Sequence, residues 1–185
     1  ANTTAANNTA VGRSALAANT TGASNTALGK GSLLSNTTAS NNVAVGLSTL
    51  QANTTGAQNV AIGASALYTN TSGANGTALG HQALASNSTG ANNTAIGFES
   101  LYANTTGADN VAVGKGALDA NTTASDNIAI GSNALTTNTT GTANVAVGTS
   151  AINNNTTASN NTAVGNAALH NNTTGAESVA VGTGA

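Results

Sequence analysis

Aliphatic and small polar residues recur along the chain with a period of 17 residues, and no insertion or deletion breaks the register. The first repeat begins at Asn2, and ten full repeats are followed by a partial eleventh that begins at Asn172. The consensus, with repeat positions numbered 1 to 17, is N-T-T-(G/A)-(A/S)-x-N-(T/V)-A-(V/I/L)-G-x-x-(A/S)-L-x-x. Residues 1–185 are therefore interpreted as one repeat array.

Each repeat predicts two short strands and two corners. Positions 7 to 11 form a β-favouring run bounded by Asn and Gly, and the A-L-x-x-N-T-T segment supplies a second extended stretch. Gly at position 11, and Gly or Ala at position 4, suit the corners. Seventeen residues are too few for a helical pair, which needs about 33. The pattern predicts an all-β fold, a β-solenoid (β-roll) of stacked coils that rise about 4.8 Å each and form an elongated rod roughly 50 Å long.

The large aliphatic residues at positions 10 and 15 are expected to form the core. Position 10 is always Val, Ile or Leu, and position 15 is Leu in every full repeat but one. The predicted core residues are Val11, Leu16, Val45, Leu50, Ile62, Leu67, Ile96, Leu101, Val113, Leu118, Ile130 and Leu135. The glycine at position 11 never changes, and we expect Gly46, Gly63, Gly114 and Gly131 to have backbone angles that are poor for other residues or backbones that a neighbour approaches closely.

Two further columns of uncharged residues predict contacts. An invariant Asn at position 1 predicts a stacked side-chain amide ladder, with the members Asn19, Asn36, Asn53, Asn70, Asn87 and Asn104. In a strand, positions 8 and 10 face one side and position 9 the other, and a strand that is uncharged on both sides is usually covered on both. We therefore predict a homomeric contact, lateral, trimeric or end-to-end, that is lined by Val43, Ala44, Val60, Ala61, Val111 and Ala112.

Charge is rare, with three Lys or Arg and five Asp or Glu in 185 residues and a formal net charge of -2. All eight charged residues and all three aromatic residues lie at positions 6, 12, 13 and 16, which are expected to be the solvated corners. This charge gives no reason to expect a nucleic acid partner. No apolar run approaches the roughly 18 residues of a membrane span. The chain does not begin with Met, so it is expected to be a processed product or an excerpt of a longer array.

Titratable residues do not converge, so we expect neither enzymatic activity nor a cofactor or metal. His81 and His170 are more than five coils apart. Asp109 and Asp126 share position 6 of adjacent coils. They are interpreted either as a cation site or, preferably, as two solvated carboxylates. Tyr68 and Tyr102 share position 16 and are either scattered aromatics or part of a receptor- or carbohydrate-binding patch. The N-x-(S/T) sequon that opens each repeat is interpreted as a by-product of the ladder rather than as a glycosylation site.

The segment 59–66, N-V-A-I-G-A-S-A, resembles the head repeat of trimeric autotransporter adhesins of the YadA type. The fuller N-T-T-G-x-x-N-T-A-I-G-x-x-A-L form is similar to arrays in bacteriophage tail-fibre-like and bacterial surface proteins. The resemblance extends over every repeat. It implies parallel β-rolls with three chains side by side, and an extracellular, cell-surface or virion-fibre location.

Two functions are left open by the sequence. The first is a structural fibre or filament segment of an extracellular appendage or adhesin, which associates with copies of itself and contacts a host receptor or glycan. The alternative is an ice-binding solenoid that presents columns of Thr, such as the pairs Thr3-Thr4, Thr20-Thr21 and Thr37-Thr38. Against the alternative, adjacent residues of a strand point to opposite faces.

Overall fold

The computed structural model describes residues 4–185, so Asn2 and Thr3, which open the first repeat and its sequon, lie outside the described residues. The strands of the described chain are β1 (Thr9–Val11), β2 (Thr26–Leu28), β3 (Val43–Val45), β4 (Val60–Ile62), β5 (Thr77–Leu79), β6 (Thr94–Ile96), β7 (Val111–Val113), β8 (Ile128–Ile130), β9 (Val145–Val147), β10 (Thr162–Val164) and β11 (Val179–Val181). They form one parallel sheet in sequence order. Each residue pairs with the one 17 positions later, as Ala61 does with Ala78. The predicted β-solenoid of stacked 17-residue coils is thereby confirmed.

Each coil contains one strand, not the two that were predicted. In the fourth coil the second stretch consists of two successive turns, closed by hydrogen bonds from the Ala66 N–H to the Gly63 carbonyl and from the Asn70 N–H to the Leu67 carbonyl, both 3.3 Å. Leu67 has a φ of 50°, and position 15 has a positive φ in every full coil. A residue in this left-handed region cannot continue a strand. Its strain, roughly 1–2 kcal/mol, is offset by burial of the leucine side chain, which contributes about 1.5–3 kcal/mol.

The core lies between the alanine column at position 9 and the leucine column at position 15. Ala61 is 0% exposed and Leu67 is 1% exposed. The leucines that were predicted to form the core are all buried, namely Leu16, Leu50, Leu67, Leu101, Leu118 and Leu135. This half of the core prediction is confirmed.

The other half of the core prediction is wrong, because position 10 faces outward. Val11, Ile62 and Ile130 are exposed, and Val45, Ile96 and Val113 are only half-buried. Strand β4 alternates as exposed, buried, exposed, so the inward residue is the small alanine. Because the leucine of position 15 already occupies the interior, the strand that faces it can contribute only a small side chain.

The corner glycines allow the coils to stack closely. Gly46 has a φ of 136°, and a Cβ atom there would lie 2.8 Å from the carbonyl oxygen of Gly63 in the next coil. Gly63, Gly114 and Gly131 have φ values of 131°, 134° and 134°, and side chains there would meet the same obstacle. Position 11 therefore requires glycine for both its backbone angle and its lack of a side chain, as predicted.

Candidate interaction surfaces

The side chains at positions 8 and 10 of strands β1 to β11 form a continuous surface, which we call the outer sheet face. Only Thr, Val, Ile and Leu occur at these positions. In the middle of the rod Val60 and Ile62 are each 39% exposed. The backbone beneath them is fixed by hydrogen bonds between coils, such as those from the Val60 N–H to the Gly76 carbonyl and from the Gly63 N–H to the Val45 carbonyl, both 2.8 Å. A parallel sheet is normally covered on both sides, and here one side is an uncharged face open to solvent.

Of the six residues predicted to line a homomeric contact, three are accessible to another chain and three are not. Val43 and Val111 are partly exposed, and Val60 is exposed, so these three lie on the outer sheet face. Ala44, Ala61 and Ala112 are 0% exposed and point into the coil, so they cannot line a contact with another chain. Their place on the outer sheet face is taken by the aliphatic residues of position 10.

The predicted amide ladder at position 1 is present. The Nδ2 of Asn36 donates to the Oδ1 of Asn19 at 2.9 Å, and the Nδ2 of Asn53 donates to the Oδ1 of Asn36 at 3.0 Å. Asn70, Asn87 and Asn104 continue the same series. Each Nδ2 also donates to the position-4 carbonyl of its own coil, as Asn53 does to Gly56 at 2.9 Å. Both amide hydrogens are therefore used, in a buried environment.

A second column of buried asparagines, at position 7, was missed by sequence reasoning, which treated this Asn only as a strand boundary. The Oδ1 of Asn25 accepts the backbone N–H of Asn42 at 3.0 Å, and the Nδ2 of Asn42 donates to the Gly56 carbonyl at 3.0 Å. Position 7 is Asn in nine of eleven repeats, and Gly76 and Ser178 are the exceptions. The near-invariance of Asn at this position could have indicated the buried column. The column ties the backbone of each coil to the next just before the strand.

Both threonine columns face solvent, contrary to the expectation that adjacent threonines point to opposite faces. Thr54 is half-buried and Thr55 is exposed, and both lie in a bend rather than in a strand. The hydroxyl of Thr54 donates to the carbonyl of Thr71 at 2.9 Å, which fixes its rotamer along the rod. The residues of position 3 are exposed in every described coil. The result is a second regular surface of hydroxyl and methyl groups.

The charged and aromatic residues lie at the solvated corners, as predicted. Tyr68 and Tyr102 are exposed, and the rings of His81 and Phe98 stack with centroids 5.5 Å apart and an interplanar angle of 9°. Desolvation by partial burial, with the charge of Glu99 as a second cause, raises the pKa of Asp119. The side chains at positions 12, 13 and 16 are therefore chemically varied, whereas the outer sheet face and the threonine columns are uniform.

Asp109 and Asp126, which were considered as a cation site, are both exposed. The Oδ1 of Asp109 accepts a hydrogen bond of 3.0 Å from the Nδ2 of Asn92. Within residues 4–185 no group of three or more His, Cys, Asp or Glu side chains is placed to hold a metal ion.

Comparisons with known proteins do not identify a relative. No family model, curated protein or solved structure matches the chain. In the part of the chain that the structure describes, no helix is long and apolar enough to span a bilayer. Function is therefore inferred from the surfaces of the rod.

Proposed function

We propose that the chain is a structural fibre segment of an extracellular appendage or adhesin, and that its copies associate side by side through the outer sheet face. The observation that supports this is the uncharged, largely aliphatic surface of positions 8 and 10, repeated on eleven strands and open to solvent. Burying such a surface is favourable because it removes apolar area from water. The extracellular location rests on the resemblance to adhesin and fibre repeats. A host receptor or glycan would be contacted at the corner that carries Tyr68 and Tyr102.

The area of the outer sheet face determines how much of the rod a contact must cover. With coils of about 4.8 Å and two side-chain columns about 7 Å apart, the face measures roughly 50 by 10 Å, or about 500 Å² per chain. A specific interface buries at least about 1,000 Å² in total over both partners. The contact must therefore run along most of the rod. A charge in its middle opposes association, because an ion that is buried without a partner costs several kcal/mol.

A pair of lysine substitutions tests the proposal. Ile62→Lys combined with Ile96→Lys adds two charges to the outer sheet face, at side chains that are not part of the core. Static light scattering of the unaltered chain is expected to give a multiple of 17.4 kDa at micromolar concentration, and the variant is expected to be a monomer. The matched control, Thr55→Lys with Thr89→Lys, adds the same charge to the exposed position-3 column and should keep the association. A monomeric unaltered chain, or equal dissociation of both variants, would contradict the proposal.

Ice binding is the second candidate, and one observation favours it. The two adjacent threonine columns both face solvent and repeat at the spacing of the coils, about 4.8 Å. Thermal hysteresis of the purified protein tests this function, and the same two variants separate it from self-association. If the threonine columns bind ice, the Thr55/Thr89 variant loses hysteresis and the Ile62/Ile96 variant keeps it. Absence of hysteresis in the unaltered chain would exclude the candidate.

A further inference from the structure

We propose that the chain carries acceptor sites for N-linked glycans at repeat position 6, and that the asparagines of the position-1 sequons are not glycosylated in the folded protein. Position 6 opens an N-x-Thr sequence in four repeats, at residues 7–9, 75–77, 92–94 and 160–162. Asparagine in this sequence is the acceptor for N-glycosylation, usually in a surface loop. This inference does not depend on the proposed fibre function.

The four position-6 asparagines stand at a corner of the coil. Asn7, Asn75, Asn92 and Asn160 are all exposed. Their φ values lie between 57° and 62°, so each forms a single-residue left-handed turn two residues before the strand begins. The threonine two residues later is the first residue of the strand and lies on the outer sheet face, as Thr77 does in β5. The amide of the acceptor and the threonine of the sequon are thus presented together on the surface.

The number of hydrogen bonds made by Nδ2 separates the two sets of sequons. At position 6, the Nδ2 of Asn75 donates to the Oδ1 of Asn92 at 3.1 Å, and that of Asn92 donates to Asp109 at 3.0 Å. At position 1, the Nδ2 of Asn70 uses both hydrogens, one to Asn53 at 2.9 Å and one to the Gly73 carbonyl at 3.0 Å. Replacing one hydrogen of Asn75 by a sugar leaves the other for its neighbour. Replacing one hydrogen of Asn70 breaks a buried bond and places a sugar inside the coil.

The covalent step follows from this geometry. The Nδ2 of the acceptor attacks the anomeric carbon C1 of a sugar that is activated by a diphosphate, under a glycosyltransferase that supplies the base. A C1–N bond forms, the bond between C1 and the diphosphate oxygen breaks, and the diphosphate leaves with the electron pair. Nδ2 gives up one proton to the transferase. The product is a secondary amide whose remaining N–H can still donate to the next coil.

The same criterion extends to two sequons at position 17, residues 154–156 and 171–173. The Nδ2 of Asn154 donates to the Oδ1 of Asn171 at 3.1 Å, at the surface of the rod. Asn154 is half-buried, so we expect it to be modified more slowly than the exposed position-6 residues.

The test uses the folded full chain and a purified transferase that moves a single glucose from a nucleoside diphosphate to N-x-(S/T) sequons. Peptide mapping by mass spectrometry is expected to find glucose on Asn75, Asn92 and Asn160, and none on Asn70 or Asn87. A synthetic peptide of residues 68–79 contains one sequon of each kind and has no coil to bury either. It is expected to accept glucose at both, which shows that the transferase itself does not discriminate.

A matched variant removes one acceptor without disturbing the coil. Thr77→Val destroys the sequon of Asn75 and introduces a residue that already occupies position 8 in neighbouring coils, as Val60 does. It should lose the glucose on Asn75 and keep that on Asn92. Glucose on Asn70 or Asn87 of the folded protein would overturn the proposal, as would unmodified position-6 residues when the peptide is accepted. Self-association is measured separately, by light scattering of the unmodified chain. The proposed glycosylation and the proposed self-association can therefore be refuted independently of each other.

Discussion

The buried asparagine column at position 7 has a gap at Gly76, and filling this gap should stabilise the rod. In the fourth coil the Oδ1 of Asn59 accepts the backbone N–H of Gly76 at 2.8 Å. Gly76 has no side chain, so it offers no oxygen to the backbone N–H of Asn93 and no amide to the Gly90 carbonyl. Gly76→Asn supplies both groups. The backbone of Gly76 lies outside the left-handed region, and an added Cβ would have the Oδ1 of Asn59, a side-chain atom, as its nearest neighbour at 2.9 Å.

The expected gain is the sum of two effects. Two new hydrogen bonds contribute about 0.5–1.5 kcal/mol each. Replacing glycine at a position with a compatible backbone adds roughly 0.4–1 kcal/mol by restricting the unfolded chain. The free energy of unfolding should therefore rise by about 1.5–4 kcal/mol, less any local adjustment around the new Cβ atom.

Urea denaturation followed by circular dichroism measures this gain. The matched reverse change is Asn110→Gly, which removes the acceptor of the Asn127 N–H (3.0 Å) and the donor to the Ala124 carbonyl (2.9 Å). The denaturation midpoint should rise for Gly76→Asn and fall for Asn110→Gly. An unchanged or lower midpoint for Gly76→Asn would refute the role assigned to the position-7 column.

Three other predictions concern stability. Gly46→Ala should strongly disrupt the stack because a Cβ atom meets the next coil. Gly31→Ser should lower the melting temperature less, because a Cβ there has no neighbour nearer than 3.6 Å and Ser48 occupies the same position of the next coil with a φ of 53°; equal effects would contradict the stacking argument. Leu67→Ala should lower the free energy of unfolding by about 2–5 kcal/mol, and Ile62→Ala should lower it by less than half as much in the monomer. A larger loss for Ile62→Ala than for Leu67→Ala would mean that position 10 lies in the core, as the sequence analysis predicted. The raised pKa of Asp119 means that the folded state binds its proton more tightly than the unfolded state, so stability should fall as the pH rises from 3.8 through the raised pKa. Asp119→Asn should remove this fall, and pH-dependent thermal melts that are identical with and without the substitution would refute it.

The period, the fold class and the amide ladder could be predicted from sequence because each depends on which residues recur. The orientation of the strand could not be read from hydrophobicity alone. Ile62 is the largest apolar residue of its strand and was placed inside, yet Ala61 is the one that is buried. The invariance of alanine was the better indicator, since a narrow interior tolerates only a small residue opposite a leucine.

The second half of the coil shows another limit of pattern reasoning. A-L-x-x-N-T-T was interpreted as extended, but Leu67 adopts a φ of 50°. Intrinsic preference disfavours this conformation for leucine, and only the burial of its side chain between coils makes it favourable. The same turn geometry places Thr54 and Thr55 together at the surface. Single-residue propensities contain no information on such a compensation between coils.

Mass per unit length tests the central claim of side-by-side association most directly. A single chain of 17.4 kDa spread over coils of about 4.8 Å corresponds to about 0.3 kDa per Å. Small-angle X-ray scattering gives the particle mass and its longest dimension in one experiment. Side-by-side association predicts at least about 0.6 kDa per Å for two chains, or about 1 kDa per Å for three, with the length of a single rod. A value near 0.3 kDa per Å, at any particle length, would show one chain per coil and contradict the account.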